Sequence, residues 1–140
     1  MNSNHKKYFS SLGFISSGFY NLTSKEAYNE AINTASIVDV REEFLIGYKR
    51  FDVPNVIYIP FSQLKNRVSE LPLNHPLIIA DTVGLHSKEA MNILLSKGFE
   101  NIANLAGGIL EWERDNLPLI INKKEQLSGA CMCQLKPRNK

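Results

Sequence analysis

Four short, mainly apolar runs, at residues 37–40, 56–59, 77–80 and 102–105, recur along the chain without sustained alternation with polar residues. Strands buried on both faces, as in a parallel sheet, read this way. A further strand is expected near residues 19–22. Between the runs lie segments with helical spacing. Thr23 and Glu26 form a capping box, in which hydroxyl and carboxylate satisfy backbone N–H groups reciprocally, and Tyr28, Ala31 and Ile32 then share one face. A short helix is expected over 42–48. Another comes after Pro60, with Leu64, Val68 and Leu71 four and three apart. Ser87 reads as the cap of a helix whose stripe is Ala90, Met91, Leu94 and Leu95, with Gly98 at its C′ position. A last helix is expected over 108–114, with Ile109 and Trp112 facing inward.

Strands alternating with helices predict an α/β fold, a central parallel sheet of about five strands with helices on both faces. The expected division is an N-terminal extension over 1–18, one domain over 19–120 and a basic tail over 121–140. Composition agrees with one globular domain: 140 residues, 44% hydrophobic and 21% charged. A chain of this length buries enough core to fold without metal or disulfide staples.

Charge narrows the partners. Between residues 11 and 122, nine basic and thirteen acidic side chains leave a net of −4, whereas the first ten residues carry +2 and the last eighteen +4. A weakly acidic body with basic ends argues against nucleic acid, which calls for a dense basic face on the folded part. No run approaches the roughly 20 apolar residues of a membrane span. Serines and glycines interrupt the N-terminal apolar stretch and no A-x-A site comes after it, so a cytoplasmic protein is expected. The only cysteines, Cys131 and Cys133, form a C-x-C pair that cannot staple a core, in keeping with a reducing compartment.

In an open parallel sheet, ligands bind beyond the carboxyl ends of the strands. The most loaded such position lies just past residue 80: Asp81, Thr82, Val83, Gly84, Leu85, His86 and Ser87. A tight loop entering a helix N-terminus aims backbone N–H groups inward and makes an anion cradle. Here a carboxylate stands at its first position.

Four blocks now resemble the rhodanese family of sulfurtransferases. Asp39-Val40-Arg41-Glu42 resembles the family's D-V-R-E opening. Tyr58-Ile59-Pro60-Phe61 is similar to its N-I-P segment. Lys97-Gly98-Phe99 and Leu105-Ala106-Gly107-Gly108, continuing to Trp112, resemble its G-F…L-x-G-G-x-x-x-W ending, and Leu117-Pro118-Leu119 resembles the usual tail of that helix. The resemblance implies a single rhodanese-like domain. In active members the loop reads C-x-x-G-x-R-S, and its cysteine carries a persulfide. Aligned through Gly84 and Ser87, this chain has Asp81 at the cysteine position and His86 at the arginine position. A carboxylate cannot form a persulfide, because sulfur transfer needs a polarisable thiolate. The resemblance therefore implies the fold and a domain without sulfurtransferase activity that binds a small anion or a protein partner. The alternative is a thiosulfate sulfurtransferase or sulfur carrier using Cys131 or Cys133.

Competing readings of single residues stay open. Asp81 is a nucleophile or general base, or a carboxylate that caps the loop amides. It lacks the D-x-D of aspartyl phosphatases, since position 83 is Val. His86 donates a proton, binds an anion, or has no catalytic part. Asp39 and Arg41 brace a strand end or touch substrate. Cys131 and Cys133 are inert thiols, a sulfur or redox pair, or half of a metal site that two soft ligands cannot complete. Neither metal nor cofactor is expected.

Overall fold

The strand runs fold as the spacing predicts over residues 8–122, which are those described by the computed structural model. In chain order the elements are β1 (Phe14–Ser16), β2 (Phe19–Leu22), α1 (Ser24–Asn33), β3 (Ser36–Asp39), α2 (Glu43–Tyr48), β4 (Lys49–Phe51) and β5 (Val56–Tyr58). Next come α3 (Phe61–Arg67), β6 (Leu77–Ala80), α4 (His86–Ser96), β7 (Ile102–Leu105), α5 (Gly108–Arg114) and β8 (Leu119–Ile121). The main sheet has the order β1-β2-β7-β6-β3-β5. Its last five strands are mutually parallel, and β1 adds an antiparallel edge.

Two-faced burial explains the continuous apolar runs. In β6, Ile78 and Ala80 point to a layer with Ala27 and Ala31 of α1 and with Ile109 and Trp112 of α5. Leu77 and Ile79 point to the other layer, with Leu64 of α3 and Ala90, Met91 and Leu94 of α4. No position in such a strand faces water, so polar alternation is absent. The capping box at α1 forms in full, Thr23 Oγ1 accepting from the Glu26 N–H and the Glu26 carboxylate accepting from the Thr23 N–H.

Three features depart from expectation. The helix predicted through Leu71 ends at Arg67 and tightens into a 3-10 turn over Val68–Glu70, which still buries Leu71. A two-stranded ribbon, β4 with β8, has no counterpart among the expected elements. Its strands are three residues each, too short to show a period. Trp112 holds this ribbon, packing edge-on to Phe51 at 4.9 Å and donating from Nε1 to the Pro118 carbonyl at 2.9 Å. Finally, the packed body begins before Phe19. Phe9 is fully buried in the α1/α5 layer, and the Tyr8 hydroxyl donates to Glu30 of α1 at 2.7 Å.

The N-terminal packing predicts a stability effect. Phe9→Ala empties a large buried site and should cost about 3–5 kcal/mol, measured by urea unfolding. An unchanged denaturation midpoint would show that residues 8–18 only rest on the body.

Candidate functional site

The strand order reverses between β3 and β6: from β3 the chain moves outward to β5, then returns to β6 on the other side. Crevices of doubly wound sheets open at such a point, beyond the carboxyl ends of the strands. Two turns meet there. One leaves β3 as Val40-Arg41-Glu42; the other leaves β6 as the Asp81 loop.

Asp81 is 5% exposed, and its carboxylate points into its own loop. Oδ1 accepts the Gly84 N–H, and Oδ2 accepts those of His86 at 2.6 Å and Ser87 at 3.2 Å. The positive end of α4, eleven residues long, adds to this attraction. Ser87 does not cap α4 with its side chain. The helix begins one residue earlier, and the Ser87 hydroxyl donates to Asn104 Oδ1 instead. Asn104 Nδ2 in turn donates to Asn21 Oδ1 at 2.8 Å, so a buried polar chain ties the head of α4 to β7 and β2.

Glycines set the loop's path. Gly84 has φ +95°, a region that L side chains rarely adopt. Gly108 lies against the loop from below, where a Cβ would stand 2.4 Å from the Thr82 carbonyl. The Ile109 and Leu110 N–H groups donate to the Asp81 and Thr82 carbonyls at 2.9 and 3.2 Å. The head of α5 therefore supports the loop that the head of α4 encloses.

On the facing turn, Arg41 and Asp39 form a buried pair. Arg41 Nη2 lies 2.8 Å from Asp39 Oδ2, Nε donates to Oδ1 at 3.0 Å, and the Arg41 N–H also donates to Oδ1. Nη2 reaches the Lys49 carbonyl at 2.8 Å, joining the strand end to the β4–β8 ribbon. The Nε and Nη2 donors of the guanidinium are thus engaged from within. Tyr58, opposite Asp39 on β5, titrates above an ordinary tyrosine, first through burial and then through repulsion between a phenolate and Asp39.

Between the two turns lies a cleft of about 320 Å³, lined by Val40, Arg41, Glu42, Leu45, Phe61, Ser62, Asp81, Thr82, Val83, Leu85 and His86. The His86 ring stacks on Phe61, centroids 6.0 Å apart. Residues 81–87 and the Asp39–Arg41 pair therefore share one end of the sheet. Cys131 and Cys133 lie outside the described residues. Among the described residues, no group of three or more His, Cys, Asp or Glu could hold a metal ion, and no helix is long and apolar enough to cross a membrane.

Sequence reading missed Glu42, Leu45, Phe61 and Ser62 as lining residues, and Asn21, Asn104 and Gly108 as supports. A signal existed for Asn104, a lone polar residue inside the buried run 102–105. The lining by α2 and α3 depends only on which strands are neighbours.

Such an arrangement fixes an anion rather than presenting one. Three loop N–H groups take up much of the acceptor capacity of the Asp81 carboxylate. Comparison with known proteins agrees on the architecture. Residues 23–115 match the family model described as "Rhodanese-like domain". A sulfurtransferase of Allochromatium vinosum is 31% identical over 84 residues, 60% of this chain and 77% of the relative. The thiosulfate sulfurtransferase GlpE of Haemophilus influenzae is 25% identical over 105 residues, 72% of this chain and 94% of the relative. A crystal structure of a rhodanese-related protein from Thermoplasma volcanium superposes with TM-score 0.66 at 25% identity, covering 73% of this chain and 98% of that one.

Removing the carboxylate should expose the cradle. Asp81→Ala leaves inward-facing N–H groups without their acceptor, at a cost of roughly 1–3 kcal/mol. Added sulfate should then raise the melting temperature of the variant more than that of the unmodified protein, with chloride at matched ionic strength as the control. Equal sulfate responses in the two proteins would overturn the internal-anion reading.

Proposed function

The chain belongs to the rhodanese-like domain family, and we propose that it is a member without sulfurtransferase turnover that serves as a binding module. The observation carrying this reading is the Asp81 carboxylate, which accepts three loop N–H groups at the position that the family motif gives to a cysteine. The chain's only thiols are Cys131 and Cys133. With the amides met by Asp81 and Arg41 held by Asp39, the cleft offers a free oxyanion little purchase. Of the two ligand classes expected from sequence, a protein segment suits the cleft better than a small anion. A reducing, cytoplasmic setting belongs to the same reading.

The test is a thiosulfate:cyanide sulfurtransferase assay on purified protein. Thiocyanate should not form above background. Turnover that survives Cys131→Ser with Cys133→Ser would overturn the proposal. Turnover lost in that double variant would establish the alternative, in which one of those thiols carries the sulfur.

The cradle itself can be probed by restoring the motif. In a Cys131→Ser/Cys133→Ser background, Asp81→Cys places a thiol against inward-facing amides and a helix N-terminus, which favour the thiolate. It should react with iodoacetamide near neutral pH several-fold faster than a free thiol. His86→Arg added to it should raise turnover further, because a guanidinium offers an oxyanion a permanent fork of donors. A labelling rate equal to that of free cysteine, with the combined variant inactive, would mean that the loop has been remodelled.

A further inference from the structure

The main sheet has two edges, and they are guarded differently. At one, Pro54 and Pro60 flank β5 and the charge of Arg50 acts on Tyr58, so an added strand meets missing donors and a cation. At the other, β1 has none of these devices. It reads Phe-Ile-Ser, and neither a charged side chain nor a proline occurs from Tyr8 to Ser24. Ile15 is 69% exposed and Phe14 45%. Among the described residues no strand lies beyond β1.

The hairpin decides which backbone groups face outward. Ser17 and Gly18 form its two-residue turn with φ +56° and +82°, the twist-matched turn of a tight hairpin. Such a turn makes Ser16 and Phe19 a hydrogen-bonded pair. Antiparallel alternation then makes Ile15 and Tyr20 a non-hydrogen-bonded pair. The N–H and C=O of Ile15 therefore point away from β2, across the open edge.

Charge and symmetry say which strand fits there. The net charge of −4 over residues 11–122 sets two copies against each other, and the uncharged hairpin is where they approach without that cost. A charged partner finds no opposite charge on this edge. A second β1, laid antiparallel across a twofold axis at Ile15, brings the same outward donor and acceptor in the reverse sense. Each Ile15 N–H then donates to the Ile15 carbonyl of the other copy, and Phe14 of each stands opposite Ser16 of the other. One such pairing closes both open edges.

We propose that two copies of this chain associate through β1, antiparallel and centred on Ile15, so that their sheets become one. The strand is three residues long, which puts the contact at the small, reversible end of protein interfaces. β2 and β7 separate β1 from the strand ends that form the cleft, so the paired state leaves the cleft open.

Sedimentation equilibrium on the whole chain reads the association directly. The average mass should climb from 15.8 kDa towards twice that value as concentration rises. Ile15→Lys sets like charges against each other at the centre of the pairing and should hold the chain at monomer mass. Phe44→Lys on α2, at a position 74% exposed, should leave the association unchanged. A monomer mass at about 1 mM protein would overturn the proposal, as would association that Ile15→Lys does not weaken. Register is read by thiol exchange in a glutathione buffer, in a Cys131→Ser/Cys133→Ser background. Ile15→Cys should link to itself about tenfold more readily than Phe44→Cys, and a mixture of Phe14→Cys and Ser16→Cys chains should link across more than either does alone. Equal linking at positions 15 and 44 would overturn the pairing. So would a preference of Ile15→Cys for Ile120→Cys on β8, which would assign the edge to a head-to-tail contact.

Discussion

Backbone N–H groups at the head of α4 converge on one side chain, and the arrangement of the whole sheet end depends on that convergence. A loop that turns this tightly into a helix leaves several donors without backbone partners. Buried and unmet, each would cost on the order of 1–3 kcal/mol. The Asp81 carboxylate meets them with charge-assisted bonds, and the helix dipole strengthens the attraction. The supports then fall into place. Gly84 allows the turn, Gly108 lets α5 approach the loop backbone, and Asn104 takes the Ser87 hydroxyl, leaving the Ser87 N–H for Asp81. Gly108 and Asn104 act on the loop from α5 and β7, so the fold reinforces a turn that Asp81 and Gly84 set locally.

The facing turn uses a second internal pair to the same end. Asp39 and Arg41 are both buried, so the pair has given up hydration, and its value lies in geometry more than in net stability. The bidentate contact holds the end of β3, and the bond from Arg41 to the Lys49 carbonyl carries that order into the β4–β8 ribbon. Trp112 fastens the ribbon from the other side. The cleft thus lies between two turns braced by internal contacts, Asp81 with its loop amides and Arg41 with Asp39.

Much of this was legible in the sequence. Runs 77–80 and 102–105 coincide with β6 and β7 because buried parallel strands need no alternation to be recognised. The capping box at Thr23 was readable because its chemistry is local. The four family blocks pointed to the domain that the comparisons establish. What escaped was non-local. The β4–β8 ribbon joins residues about seventy apart through three-residue strands, and its sequences, Lys-Arg-Phe and Leu-Ile-Ile, share no pattern. Ser87 resembled a cap because its residue type suits one; only the proximity of Asn104 redirects its hydroxyl. Phe9 lies in an apolar stretch broken by serines and glycines, without helical or strand spacing, and its burial depends on the arrival of α1 and α5.

The tethered carboxylate also decides what the cleft can recognise. A free oxyanion would compete for the loop amides against a group covalently fixed at bonding distance, whose effective concentration far exceeds that of a dissolved ion. It would have to displace Asp81 into a cleft where Glu42 already stands and where Arg41 is engaged. Both steps oppose a negatively charged ligand. An occupant that leaves the amides alone and buries apolar surface against Val83 and Leu85 meets neither obstacle. With its amides already met by Asp81, the loop stays closed and offers its outer apolar face, Val83 and Leu85, to the cleft.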